Sequence, residues 1–206
     1  MSQTKRRWIV GLGIVSVAVV AVALGRRTPT FSGDAPSYRH TGSSRARVVM
    51  TEYSDFQCPK CGQAVPIVKA LMKSYPEDVR LVFHHAPLKQ HKWAVLAAQA
   101  AESAGLQGKF WEYAEHLFAK QSEWSAAVDP KPLFIVYAKE LGLDVDRFTQ
   151  DVDSSFVAEI VRKEKAHADA IEVPATPTFF INDRMLVGDN QLAGNGARYI
   201  EQELGR

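Results

Sequence analysis

The chain has 206 residues, 46% hydrophobic and 23% charged, which is enough to bury one core and too apolar for a disordered protein. Its formal charge of +2 is misleading: the first 44 residues carry six of the 25 Lys and Arg but one of the 23 Asp and Glu, leaving 19 basic and 22 acidic residues, a net of −3, for the remainder. A mildly acidic body without a clustered basic face excludes phosphate-backbone binding, so no nucleic-acid partner is expected.

Lys5, Arg6 and Arg7 precede an uncharged run of 18 residues from Trp8 to Gly25 with no polar face. A bilayer core needs roughly 17 to 25 such residues, whereas a signal-peptide core is about 7 to 15, so residues 1–25 read as an N-terminal membrane anchor. Ala21-Val22-Ala23 also suits a signal peptidase, and cleavage with secretion is the alternative. Either route places the rest of the chain outside the cytoplasm, periplasmic or extracellular. Residues 26–45, rich in Thr, Ser, Gly and Pro, read as a flexible linker.

From Arg47, "RVVMTEYSDF" is a strand, and Lys60 to Ser74 follows with apolar residues at helical spacing. "VRLVFHH" from Val79 is a second strand, so the three form a βαβ unit with parallel pairing. A block of helices comes next. Lys92 to Ala104 stops at Gly105, and Phe110, Trp111, Ala114, Leu117 and Phe118 form one apolar stripe. Asp129-Pro130 opens a helix that closes at Gly142, Asp144 to Val152 is a short helix, and Asp153 or Ser154 caps another running to about Ala170. "TPTFFIN" and "RMLVG" then form a hairpin turning at Asn182-Asp183, before a last helix near Ala197 to Leu204. The order is βαβ, a helical block, then ββα: an α/β fold over 46–206 with a helical insertion at about 91–171.

The two cysteines, Cys58 and Cys61, stand in "QCPKC" at the start of the first helix. Cys58 lies nearest the unpaired N–H groups and positive end of the helix dipole, where a thiolate is favoured, and is the attacking residue. Pro59 suits the first helical turn, and the Lys60 ammonium adds positive charge. Cys61, one turn in, resolves a mixed disulfide, so the pair cycles between dithiol and disulfide. A structural disulfide over so short a loop would restrict the unfolded chain little. Zinc normally needs four ligands, and the spacing of His84, His85, His91 and His116 is not a metal pattern, so neither metal nor cofactor is expected.

"EYSDFQCPKC", "FHHAPL", "HKWAVLAAQAAESAG", "KFWEYAEHLFAKQ" and "VPATPTFFIN", in this order, resemble the DsbA-like branch of the thioredoxin superfamily, from about Arg47 to the C-terminus. The resemblance implies a thioredoxin fold with a helical insertion, preceded here by the N-terminal hydrophobic helix. It also implies a cis proline at Pro177 facing Cys58 and a substrate main chain bound beside Thr176 and Pro177. Glu52, six residues before Cys58, matches a buried acid whose implied role is to relay a proton to or from Cys61. His84 and His85 match packing or capping positions. Glu172 departs from the resemblance, standing where the long helix usually ends in glycine. The implied activity is oxidation of reduced or partly folded exported proteins, with reoxidation by a quinone-linked membrane partner. A reductase or isomerase using the same site, and a thioredoxin-fold copper carrier, are the alternatives.

Overall fold

The computed structural model describes residues 35–206. The N-terminal hydrophobic helix expected over 1–25 lies outside them, as do residues 26–34 of the expected linker. Among the described residues no helix is long and apolar enough to cross a membrane.

Five strands form one sheet in the order β1-β3-β2-β4-β5: β1 His40–Gly42, β2 Val48–Ser54, β3 Val79–His85, β4 Thr178–Ile181 and β5 Arg184–Val187. β2 and β3 run parallel, joined by helix α1, Pro59–Ser74. β4 lies antiparallel to β2, and β5 to β4. The β4–β5 hairpin turns at Asn182, whose φ of 49° is one that asparagine tolerates. β2 is covered on both faces, which is why "VVMTEYS" reads as a continuous run with little alternation.

Six helices separate β3 from β4: α2 Ala94–Gly105, α3 Phe110–Ala119, α4 Gln121–Ser125, α5 Lys131–Glu140, α6 Val145–Val152 and α7 Ser155–Ala170. Their core joins the alanines of α2 to Phe110, Tyr113, Leu117, Trp124, Phe134 and Phe148. Alanine on the buried face of α2 permits close helix approach, so large aromatics from neighbouring helices fill the space. Phe110 belongs to this core, with Trp111 and Phe118 packed at its edge. Asp144 and Ser154 cap α6 and α7 by accepting from Arg147 N and Val157 N.

The second core lies between the sheet and helices α1 and α8, Gly188–Leu204, and holds Met50, Val68, Leu71, Phe179, Leu192 and Ile200. α8 begins nine residues earlier than its sequence suggests. Burial of Leu192 outweighs the poor helix propensity of the glycines, and an added Cβ at Gly196 would stand 2.9 Å from Leu71 Cδ1. Glu172 takes the left-handed φ of 56° that glycine would have adopted more easily, so the end of α7 keeps its geometry despite the departure.

The expected linker over 26–45 ends sooner than residue 45. Ser37–Arg39 form a 3₁₀ turn, and β1 pairs antiparallel with β3. The cause is Arg39, 1% exposed, which reaches Glu164 at 2.7 Å, Glu102 at 3.3 Å and the Phe83 carbonyl at 3.3 Å. His84 Nδ1 meets Glu164 at 2.9 Å and His85 Nε2 meets Glu102 at 2.8 Å. Burial alone would raise both carboxyls. These partners outweigh it, holding Glu102 below its ordinary value and Glu164 well below the carboxylate range. The two histidines thus belong to a buried ion network that fastens the N-terminal segment and the insertion to the sheet.

Candidate active site

Cys58 ends the loop that leaves β2 and stands at the N-cap of α1, with extended backbone (φ −76°, ψ 120°) and Pro59 at the first helical position. Its carbonyl accepts from the N–H of Cys61 at 3.0 Å and of Gly62 at 3.3 Å. Seven contacts fix the loop. Asp55 accepts from Gln57 N at 2.7 Å and Leu88 N at 2.8 Å, and meets His91 Nδ1 at 2.7 Å. Gln57 Oε1 accepts from Trp93 N at 2.6 Å. From the insertion, Gln121 Nε2 donates to the carbonyls of Phe56 at 2.7 Å and Cys58 at 3.0 Å. Last, Asp55 N–H points at Cys61 Sγ, 3.4 Å away.

Both cysteines are free and buried, but differently: Cys58 is 6% exposed and Cys61 not at all. The Cys61 thiol, hydrogen-bonded to the Cys58 sulfur, is the largest influence lowering Cys58. Burial opposes it, and the Thr176 side chain with the backbone N–H groups of Cys61 and Lys60 brings the thiol down to about 5. While protonated, Cys58 donates to the Thr176 carbonyl at 3.4 Å, and the buried Thr176 hydroxyl makes no hydrogen bond. That hydroxyl is placed to turn to a thiolate. Burial pushes Cys61 well above the ordinary thiol value, and its bond and proximity to Cys58 push it further.

Lys60 acts otherwise than its charge suggests. Its ammonium turns outward to Gln63 Oε1 at 2.8 Å and Asp189 at 3.6 Å, so its contribution to the thiolate is its backbone N–H. Thr176-Pro177 is cis and lies against Cys58 through the Thr176 carbonyl. Glu52 sits in the middle of the sheet, in register with Phe83 on one side and Phe179 on the other. Burial pushes its carboxyl up to about 7, against a smaller lowering by Ser54. It lines a cavity of about 250 Å³ walled by Val68, Met72, Phe83, Trp111 and Phe118.

The structure therefore brings Cys58, Pro59, Cys61, Thr176 and Pro177 together, with Glu52 on the strand behind. Sequence reasoning missed Asp55, His91 and Gln121. Asp55 follows a strand in "YSDF", a turn signal that could have been read; Gln121 offers none. Among the described residues no group of three or more His, Cys, Asp or Glu side chains converges as a metal site.

A dithiol at a helix N-terminus, faced by an X-Pro bond and covered by a helical insertion, defines a redox-type site on a thioredoxin-like sheet. The chain belongs to the thioredoxin family: residues 34–197 match the family model described as Thioredoxin. Within the superfamily it is DsbA-like. Its structure is similar to BdbD from Bacillus subtilis, with a TM-score of 0.73 at 25% identity over 82% of this chain and 93% of that one. It is also similar to DsbA2 from Pseudomonas aeruginosa, with a TM-score of 0.66 at 25% identity over 82% and 96%. In sequence, a Na(+)/H(+) antiporter NhaA 3 from Salinispora tropica is 42% identical over 144 residues, 69% of this chain but 21% of that protein. The chain thus spans about a fifth of the curated relatives it matches in this way.

Proposed function

We propose that this protein is a thiol:disulfide oxidoreductase that introduces disulfides into reduced or partly folded exported proteins. Residues 1–25 anchor it in the membrane, with the catalytic domain on the extracytoplasmic side. A substrate thiolate attacks Cys58 of the oxidised pair, and Cys61 leaves. The substrate's second thiol then attacks its own sulfur in the mixed disulfide and releases Cys58 as a thiolate. The Thr176-Pro177 backbone beside Cys58 receives the extended substrate main chain, a mode that demands little sequence specificity. Glu52 supplies the proton that the buried Cys61 needs on leaving. A quinone-linked membrane partner takes the electrons from the reduced pair.

The observation that carries this reading is the opposed ionisation of the two thiols, Cys58 lowered to about 5 and Cys61 raised well above the ordinary value. A leaving thiolate stabilised in this way favours the reduced enzyme, which makes the disulfide form oxidising. Equilibration with glutathione tests the direction. The oxidase reading expects a potential well above thioredoxin's, and one near about −270 mV would make the chain a reductase.

A further inference from the structure

Ser54 is 1% exposed, and its hydroxyl makes no hydrogen bond. A buried hydroxyl without a partner destabilises the fold relative to a satisfied one, and alanine would avoid that cost. Its position suggests why serine stands there. Ser54 follows Glu52 by two residues on β2, so the strand's pleat puts both side chains on the same face of the sheet. That face is covered by α1, which carries Cys61. The next residue, Asp55, directs its N–H to Cys61 Sγ at 3.4 Å, which places the sulfur against this end of β2. Ser54 makes a hydrogen bond to neither group in this structure, yet it stands near enough to both to oppose the effect of burial at the Glu52 carboxyl and at the Cys61 thiol.

Resting on the reading of Glu52 given above, we propose that the Ser54 hydroxyl is the link that carries the proton between Glu52 and Cys61, and that the cavity beside Glu52 is where solvent restores it. When a substrate thiolate bonds to Cys58 Sγ, the Cys58–Cys61 bond breaks and Cys61 keeps its electron pair. Ser54 gives its proton to Cys61 Sγ as it takes the proton of the Glu52 carboxyl. Glu52 is left as a carboxylate and regains a proton from solvent in the cavity, whose lining includes Lys69 and Glu115, paired at 2.9 Å. In the reverse reaction the protons run the other way. The ionisable groups facing this path are Cys58 at the N-cap of α1, Cys61 and Lys69 from α1, Glu115 from α3, and His85, the register partner of Ser54 on β3.

Ser54 is here a positioning and relay group, so the test must separate a moving proton from mere packing. The oxidised full-length chain is mixed with a reduced peptide carrying a single cysteine. The rate of mixed-disulfide formation is followed from pH 5 to 9, in H₂O and D₂O, for wild type, Glu52→Gln, Ser54→Ala and the nearly isosteric pair Ser54→Thr and Ser54→Val. General acids contribute roughly 10²–10⁴-fold, and because water can partly stand in for a missing hydroxyl, Ser54→Ala and Ser54→Val are expected to slow the step about tenfold. Both should lose the solvent isotope effect and the pH break that Glu52 gives the wild type. Ser54→Thr should keep both, and Ser54→Ala should melt no lower than wild type. If Ser54→Val matches Ser54→Thr in rate, pH profile and isotope effect while Glu52→Gln is slow, the serine link is overturned and the role of Glu52 stands. Glu52→Gln reacting like wild type overturns both. Should Ser54→Ala fail to fold, the Thr and Val variants decide between these outcomes.

Discussion

Two regions of this molecule bury ionisable groups, and they treat them in opposite ways. Around Arg39 every carboxylate has a cation or histidine within hydrogen-bonding distance: Glu164 holds Arg39 and His84, and Glu102 holds Arg39 and His85. Behind Cys58, Glu52 is buried with no cation beside it and Cys61 with no base, and both are driven toward their protonated forms. The paired network fixes the N-terminal segment to the insertion. The groups without a counter-charge are the ones proposed above to exchange protons. Burial is common to both regions, and the presence or absence of a counter-charge decides whether it serves structure or chemistry.

The largest break in the comparison is at Cys58, the sulfur proposed above to meet substrate. Cys58→Ser is expected to abolish disulfide exchange with a reduced peptide, whereas Cys61→Ser, given a peptide that carries a disulfide, should expel one thiol and accumulate the mixed disulfide at Cys58 that it has no second cysteine to resolve, seen as an added peptide mass in intact-protein mass spectrometry. Breaking the paired region should cost stability instead. Glu164→Ala leaves Arg39 buried with less compensation and should lower unfolding free energy by about 3–5 kcal/mol, with Cys58 ionisation unchanged; urea denaturation checks it. Because the folded Glu164 is held below its ordinary value, the wild-type network stabilises above about pH 4.5 and weakens as the pH falls below that.

Glu52→Gln should do the reverse. With the folded carboxyl raised to about 7, the stability attached to its proton is full below about pH 4.5 and is lost as the pH rises through 7. The variant should therefore match wild type in acid and exceed it by on the order of 2–3 kcal/mol at pH 8, measured by denaturation at both pH values. The smallest effect belongs to Lys60→Ala. Its ammonium is engaged by Gln63 and Asp189 at the surface, where such pairs are worth about 0–1 kcal/mol, so the Cys58 titration should move by no more than about 0.5 pH unit.

Much of this was legible in the chain because it is local. The CxxC at a helix start, the strand-helix-strand order, the Asn182 hairpin and Pro177 before a strand depend on residues close together in sequence. What escaped depends on partners far away. Ser37–Gly42 looks like linker until Arg39 meets Glu164, 125 residues on. Gln121 steadies the active-site loop from a short helix with no sequence signature, and α8 starts at Gly188 because Leu192 finds a core that its glycine-rich surroundings do not announce. The direction of the Lys60 ammonium was out of reach for the same reason, since Asp189, far along the chain, is one of its partners.

The central claim is that the Cys58 sulfur ionises far more readily than its buried neighbour. Ultraviolet absorbance of the reduced protein, compared with Cys58→Ser, follows that atom directly as the pH is varied. The thiolate signal lost in the variant should titrate near pH 5 in the wild type. A midpoint near about 8.5, the value of an unperturbed thiol, would contradict the account.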